Sequence, residues 1–178
     1  MAETVSSSAV TVTVTAPSLV AIAASLPGRA RTEAALAARY GGPVPATGRS
    51  LATADGRLAG TGAGRWLLID AAGDGWRLET ALQQALGDAA LVTDQSDARV
   101  GFVLEAASAP ALLGFMEKAC ALDLDPAVFP PGSAALTEVA GVGALLLLEA
   151  PARLLVAVPR SFAESFAELL AGMGAGRG

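Results

Sequence analysis

The chain has 178 residues, of which 53% are hydrophobic and 16% are charged, so it can bury a core and is too apolar to be disordered. Its single cysteine excludes a disulfide within the chain, and the lack of histidine excludes histidine metal ligands and Ser-His or Cys-His nucleophile pairs. Twelve basic and seventeen acidic residues give a net charge of -5, which argues against binding to nucleic acid.

An uncharged stretch at residues 4–28 has to be judged as a possible signal or membrane segment. Val10, Val12 and Val14 alternate with threonines, and Pro17 and Pro27 interrupt the stretch. Alternation with period two is typical of strands, and a signal peptide would begin with positive charge. We therefore expect strands here, no membrane segment and a cytoplasmic protein.

The first half of the chain alternates strand and helix patterns. Strands are predicted at residues 10–15, 19–25, 51–54, 66–70 and 89–93, and helices at residues 32–40 and 76–86. The run 41–43, Gly-Gly-Pro, is a helix stop, and Asp55-Gly56 favours a tight turn. From residue 19 the order is β-α-β-β-α-β, the split β-α-β arrangement of ferredoxin-like folds.

The second half repeats this mixture. Strands are predicted at residues 99–105, 134–139, 142–148 and 153–158, a helix at 109–119 with Ser108 as N-cap, and an irregular loop at 124–132. A capping box at Ser161 and Glu164 predicts a last helix to about Met173, with a frayed end at 174–178. We expect an α+β fold of two packed lobes of split β-α-β type, residues 1–97 and 98–178.

Three glycines, Gly60, Gly62 and Gly64, could suggest a phosphate loop. Dinucleotide and P-loop signatures need a strand before the glycines and a helix after them, whereas here a strand follows. We therefore interpret the glycines as a turn.

The densest carboxylates are Asp94, Asp97, Asp123 and Asp125. Paired acids can do acid-base or metal chemistry, but Asp and Ser between two predicted strands normally build turns. The Asp123–Asp125 segment also lacks the glycine and distal glutamate of a calcium loop. We predict turns at both places, with no catalytic, metal or cofactor-binding residue.

The remaining chemically distinctive side chains are one thiol and two indoles. Cys120 follows apolar helical neighbours and has no Cys-x-x-Cys or histidine partner, which favours a buried, inert thiol. Trp66 and Trp76 are predicted to be core or interface anchors, because 4% aromatic residues leave no stacking platform for bases or a flavin.

The low charge content predicts that part of the surface is covered by another protein, because a typical domain has about 25% charged residues. The candidate interface residues are Val128, Phe129, Pro130 and Pro131, since an aromatic residue flanked by rigid prolines loses little entropy on docking. Alternatively, Phe129 fills a gap between the two lobes.

Several ordered stretches together resemble one protein family. They are GRWLL at 64–68, TDQSDARV at 93–100, KACALDLDP at 118–126, FPPG at 129–132 and VPRSFA at 158–163. In this order they resemble the gamma subunit of heterotetrameric sarcosine oxidase. Residues 94–113 are more distantly similar to the folate-binding aminomethyltransferase family, so the expected fold is also aminomethyltransferase-like.

The resemblance implies a noncatalytic structural subunit of a flavoenzyme that oxidatively demethylates sarcosine or a related N-methyl amino acid. It also implies that the alpha, beta and delta subunits are the partners and hold FAD, FMN, NAD and tetrahydrofolate, with none bound by this chain.

Two alternatives stay open at this point. One is a folate-binding or one-carbon-transfer module that acts on its own, which would need a cleft with an acidic residue for the pterin. The other is an interaction protein outside any such complex.

Overall fold

The computed structural model describes residues 4–6, 10–70 and 73–174. In this part of the chain the strands are β1 Thr4–Ser6, β2 Val10–Thr15, β3 Ser18–Ala24, β4 Ser50–Thr53, β5 Gly56–Gly62, β6 Arg65–Asp70, β7 Ala90–Asp94, β8 Arg99–Ala106, β9 Ala134–Val139, β10 Val142–Ala150 and β11 Arg153–Pro159. The helices are α1 Arg29–Tyr40, α2 Gly75–Leu86, α3 Ala109–Met116 and α4 Ala163–Gly174. Among the described residues, no helix has the length and apolar character needed to cross a bilayer.

The chain divides into two compact units. Residues 17–96 form the mid-chain unit, and residues 1–16 together with 97–178 form the terminal unit. This division differs from lobes of residues 1–97 and 98–178, because β2 pairs antiparallel with β8 and buries Val10 and Val12 in the core of the terminal unit. Pro17, which has no backbone N–H to donate to a sheet, stands between β2 and β3.

The terminal unit is an antiparallel sheet with strand order β1-β2-β8-β11-β10-β9. Helices α3 and α4 supply Phe115, Met116 and Phe166 to the core, together with alternate residues of the strands. The rings of Phe102 on β8 and Phe166 on α4 meet edge to face, with centroids 5.1 Å apart. This geometry suits the charge distribution of aromatic rings and fixes α4 on the sheet.

The mid-chain unit is a second antiparallel sheet, with strand order β4-β5-β6-β3-β7. Leu36 of α1 and Leu82 and Leu86 of α2 share one hydrophobic core with the strand residues Ile22 and Leu68. Both helices therefore bury their apolar stripes on this sheet. Together the two units confirm the α+β class.

Strand β5 is the main element missing from the sequence prediction. Gly60 and Gly62 lie within it, and only Gly64, at φ 67°, lies in the turn to β6, so the turn interpretation was wrong for two of the three glycines. A Cβ at Gly60 would lie 2.3 Å from the carbonyl oxygen of Ala46. Glycine is needed at position 60 because the backbone of Pro45 and Ala46 packs directly on β5 there. In a sequence, a glycine that allows such close packing looks the same as a glycine in a turn.

The helix ends agree with the sequence in part. Gly41 ends α1 in the left-handed conformation, and Ser108 caps α3 by accepting a hydrogen bond from the Ala111 N–H at 3.3 Å, both as predicted. Helix α3 stops at Met116 instead of residue 119, because Cys120 leaves the helix to form a bridge with Val139 of β9.

The capping box predicted for the last helix is wrong. Ser161 lies inside a short 3-10 turn, Arg160–Phe162, whose N-cap is Pro159 and which has no side-chain cap hydrogen bond. Because Pro159 is the N-cap, Ser161 is the second residue of the turn and is not in the position from which a side chain caps it. Of the predicted frayed end, Gly174 belongs to α4, and residues 175–178 lie outside the described residues.

One polar cluster joins the end of α1 to the β4–β5 turn. Asp55 Oδ2 accepts hydrogen bonds from Arg39 Nε and Nη2 at 2.9 and 2.6 Å and from the Tyr40 hydroxyl at 3.1 Å. Burial, reinforced by the charge of Asp55, raises the pKa of Tyr40 to about 12. The folded protein therefore favours the neutral phenol of Tyr40 over the charged phenolate.

Tyr40 is the only tyrosine in the chain, so near-ultraviolet phenolate absorbance reports on it alone. We expect its ionisation midpoint in the folded protein at about pH 12. The folded-state pKa lies above the unfolded one, so the contribution of Tyr40 to stability is complete below the unfolded pKa and is lost as pH rises through the folded one.

Asp55→Asn should lower the ionisation midpoint of Tyr40, because it removes the negative charge beside the phenol. A wild-type midpoint at the ordinary value of about 10, with circular dichroism showing an intact fold, would contradict this expectation.

Candidate interaction surfaces

The loop with the predicted interface residues is held by its own hydrogen bonds. The backbone N–H groups of Val128 and Phe129 both donate to the carbonyl oxygen of Asp125, at 2.8 and 2.7 Å. The Ala127 N–H donates to Asp125 Oδ1 at 2.8 Å, and the Ser133 N–H donates to the Pro130 carbonyl oxygen at 3.0 Å. The loop is thus a fixed turn whose successive side chains point in different directions.

This turn separates the four interface candidates. Phe129 is 7% exposed and belongs to the core of the terminal unit, whereas Val128 is 64% exposed. Pro131 is exposed and Pro130 is half-buried. Phe129 therefore holds the loop on its own unit, while Val128 and Pro131 are the members that a partner could contact.

Three exposed apolar residues lie on or next to strand β7 in the mid-chain unit, and they do not share one face, because α2 packs on the Val92 side of β7 and Leu91 points to the other side. Leu91 lies on β7, Trp76 lies in the first turn of α2, and Leu26 lies in the turn after β3; all three are exposed. The Ser25 N–H donates to the Ala89 carbonyl oxygen at 2.8 Å, which places the Leu26 turn next to the start of β7. Of the two tryptophans, Trp76 is thus the surface residue and Trp66 the buried one.

The free edge of β7 is covered by the side chain of Gln83. Its Nε2 donates to the carbonyl oxygens of Gly87 and Ala90 at 2.7 and 3.2 Å, and its Oε1 accepts from the Val92 N–H at 3.0 Å. An edge strand with open N–H and C=O groups invites another strand to pair with it. The exposed Leu91 side chain is therefore available for packing, while the edge of β7 beside it is protected from strand addition.

A cleft of about 510 Å³ opens in the mid-chain unit beside α1. Trp66 lines it and donates from its indole Nε1 to the Pro45 carbonyl oxygen at 3.1 Å, which fixes one wall. Its lining residues are Arg29, Glu33, Ala34, Ala37, Pro43, Val44, Pro45, Ala46, Thr47, Gly62, Ala63, Gly64 and Trp66. The lining is mostly small and apolar, with one ion pair, Arg29 with Glu33.

The carboxylates considered for chemistry build turns, as predicted. Asp94 Oδ1 accepts hydrogen bonds from the N–H and the hydroxyl of Ser96, and Asp123 Oδ1 accepts from the Asp125 N–H at 2.9 Å. Asp97 lies in a 3-10 turn and accepts a contact from Arg160. Among the described residues, no group of three or more His, Cys, Asp or Glu is arranged to hold a metal ion.

Cys120 is buried, as expected, beside the end of β9. The Ala140 N–H donates to the Ala119 carbonyl oxygen at 2.7 Å and so holds the neighbouring backbone against β9. The thiol is part of the terminal core.

Sequence reasoning missed Leu26, Leu91 and the cleft residues. In β7 the sequence ALVTD places Leu91 and Val92 on opposite faces, and both are apolar. Two adjacent apolar residues in a short strand could have predicted that the solvent-facing side of β7 carries an apolar side chain. The cleft depends on where residues 43–47 fold back, which no local pattern reveals.

The family comparison decides what kind of protein carries these surfaces. The protein-family model described as "Sarcosine oxidase, gamma subunit family" matches residues 29–175, which is most of the chain. This chain belongs to the sarcosine oxidase gamma subunit family. The resemblance found in the ordered motifs is thereby confirmed.

Solved structures agree with membership of the gamma subunit family. A chain of the heterotetrameric sarcosine oxidase from Corynebacterium sp. U-96, in complex with pyrrole 2-carboxylate, is 27% identical, with a TM-score of 0.78 over 93% of this chain and 84% of that chain. The glycine cleavage system aminomethyltransferase T from Bartonella henselae is 17% identical, with a TM-score of 0.60 over 89% of this chain and 44% of that one. The second likeness concerns the fold alone. A search of curated proteins gave no significant match.

The placement of Phe129 and Val128 gives a stability prediction for this gamma-family chain. Phe129→Ala should lower the free energy of unfolding by about 3 kcal/mol or more, because it leaves a cavity in a packed core. Val128→Ala, the matched control in the same turn, should change it by less than about 0.5 kcal/mol, as exposed substitutions do. Urea unfolding of both variants measures the difference. Similar effects of the two substitutions would contradict the assignment of Phe129 to the core.

The role of Gln83 gives a second prediction. Gln83→Ala should cost about 1–3 kcal/mol, because it leaves backbone groups of β7 without partners, and should promote self-association through the opened edge. Gln84→Ala, at the exposed neighbouring position, is the control and should do neither. Thermal unfolding and sedimentation at several protein concentrations measure both effects. If Gln83→Ala stays monomeric and keeps the stability of the wild type, Gln83 does not protect the edge of β7.

Proposed function

We propose that this chain is a noncatalytic structural subunit of a heterotetrameric sarcosine oxidase-like flavoenzyme. In this proposal the complex lies in the cytoplasm and oxidatively demethylates sarcosine or a related N-methyl amino acid. The match of the gamma subunit family over residues 29–175 carries the proposal. The partners would be alpha, beta and delta subunits, which would hold FAD, FMN, NAD and tetrahydrofolate.

The ionisable side chains support a structural role. Asp94, Asp123 and Asp125 accept hydrogen bonds within turns, and Arg39 and Arg153 form ion pairs that join separate elements. The sequence contains no histidine that could serve as a general base. Gly60 and Gly62 lie in a strand and Gly64 leads to another strand, so these glycines do not fit the strand-loop-helix geometry that holds a dinucleotide phosphate.

The exposed apolar residues support association with a larger partner. Val128, Leu26, Trp76 and Leu91 are exposed in a chain with only 16% charged residues, where a typical domain has about 25%. In the proposal Val128 and Pro131 contact another subunit, while Phe129 and the half-buried Pro130 support them from within the loop. Permanent subunits bury about 2,000 Å² or more in total.

The folate-binding alternative can be judged against the cleft of the mid-chain unit. Its one acidic lining residue is Glu33, whose Oε1 accepts a hydrogen bond from Arg29 Nε at 2.8 Å. A carboxylate that binds a pterin has to accept hydrogen bonds from the pterin, and here the neighbouring guanidinium competes for it. We therefore prefer the structural role.

Co-expression of this chain with the alpha, beta and delta subunits from the same organism tests the proposal. We expect this chain to co-purify stoichiometrically in a complex that oxidises sarcosine. The chain purified alone should show no flavin absorbance band and no binding of NAD or tetrahydrofolate. The proposal fails if the isolated chain carries stoichiometric flavin, or if it remains a monodisperse monomer in the presence of the other subunits.

A further inference from the structure

Arg29 is bound at one nitrogen only. Its Nε donates to Glu33 Oε1 at 2.8 Å, and in the described part of the chain its two Nη groups have no hydrogen-bond partner. Three other arginines whose Nε donates a hydrogen bond differ from Arg29 in the use of their Nη groups. Arg39, Arg153 and Arg160 also use Nε in a hydrogen bond, and in each of them an Nη group contacts a carboxylate as well. The Arg29 guanidinium therefore has the free edge that binds a carboxylate through parallel hydrogen bonds.

The cleft that Arg29 lines has fixed walls. The Gly48 N–H donates to the Gly60 carbonyl oxygen and the Gly60 N–H donates to the Arg49 carbonyl oxygen, both at 2.9 Å, so the loop before β4 is fastened to β5. Gly64, which also lines the cleft, is held at φ 67° in the β5–β6 turn, and the stem of Arg29 lies within van der Waals distance of it. The cavity thus exists before anything binds in it.

The charge around the cleft does not oppose an acidic partner. Residues 17–96 contain seven arginines and seven acidic residues, whereas the rest of the chain contains five basic and ten acidic residues. The excess negative charge therefore lies outside the mid-chain unit. A negatively charged segment can therefore approach this unit without net repulsion. Within the cleft Glu33 balances the charge of Arg29, so what Arg29 offers a carboxylate is its two unused Nη groups.

We propose that this cleft receives a segment of a larger oxidase subunit that carries an Asp or Glu beside an apolar side chain. The carboxylate would pair with the Nη groups of Arg29, and the apolar side chain would pack on the wall formed by Pro43, Val44 and Trp66. This proposal rests on the proposed function, because it names the contact through which the subunit is held.

A protein segment suits the site better than a free small carboxylate. The Arg29 side chain is 53% exposed, so water competes for its hydrogen bonds as long as the cleft is open. A segment that is anchored elsewhere in an interface presents its carboxylate at high effective concentration. It also covers the pair from water, which strengthens the pair.

The test compares Arg29→Met with Arg31→Met in full-length chain added to the complex of the other subunits. Arg31 lies on the same helix, is exposed, pairs with Asp88 and does not line the cleft, so it controls for the loss of one positive charge. We expect Arg29→Met to weaken binding by at least about tenfold and to reduce its dependence on salt, while Arg31→Met changes it by less than about twofold. Both variants should keep the melting temperature of the wild type.

Each other outcome has a defined meaning. Equal effects of the two variants, or no effect of Arg29→Met, overturn the inference and leave the proposed function intact. Failure of the wild-type chain to bind the other subunits overturns the proposed function and this inference with it. Binding of tetrahydrofolate to the isolated wild-type chain, lost in Arg29→Met, would assign the cleft to a small carboxylate and also overturn the inference.

Discussion

The pairing of β2 with β8 determines how the rest of the chain is arranged. Val12 and Val14 lie opposite Leu104 and Phe102, so a strand near the N-terminus completes a core built with β8, β9, β10 and β11, which all follow residue 96. The alternating threonines and valines of β2 leave one face apolar, and only the right register buries that face. The mid-chain unit is thus contained within one closed connection of the terminal unit. Closing a connection of this length costs chain entropy, which the buried apolar faces of β2 and β8 offset.

Charge in this chain is used mainly to fasten elements to one another. Arg39 ties α1 to the β4–β5 turn, Arg153 joins β11 to Glu105 on β8, and Arg160 holds residue 97. Exposed ion pairs of this kind contribute only about 0–1 kcal/mol each, so apolar packing carries the stability. With its few charges engaged in this way, the chain leaves apolar residues such as Trp76 on its surface. A subunit that is covered in its complex can tolerate such exposed apolar side chains.

The sequence predicts those elements whose pattern is local. Strands β2 and β9 have the predicted boundaries, because alternation or a flanking glycine turn marks both ends. Strand β5 escapes prediction because its glycines serve the close approach of another backbone segment, which lies outside any sequence window. Val128 and Phe129 show the same limit in the candidate interface, since the turn at Asp125 alone decides which side chain points inward. The cleft was beyond reach for the same reason, as its walls come from three separated stretches.

The motifs that reveal the family turn out to hold the fold together, which explains why they identify the protein without locating a reactive site. In the stretch 93–100, Asp94 binds Ser96, and the Ser96 hydroxyl in turn accepts a hydrogen bond from the Leu19 N–H at 3.0 Å. Gly75 begins α2 against these two side chains, where a Cβ would lie 2.4 Å from the Ser96 hydroxyl oxygen.

The same stretch is bound to the motif at 158–163, because Arg160 Nε donates to the Asp97 carbonyl oxygen at 2.7 Å. In the motif at 118–126, Asp123 and Asp125 shape the loop that Phe129 fixes to the core. Motifs that bind one another in this way specify turns and strand ends, so their order along the chain identifies the fold family. A side chain proposed to bind a partner, such as Arg29, needs only hydrogen-bonding groups that the fold leaves unused, and no sequence pattern marks such groups.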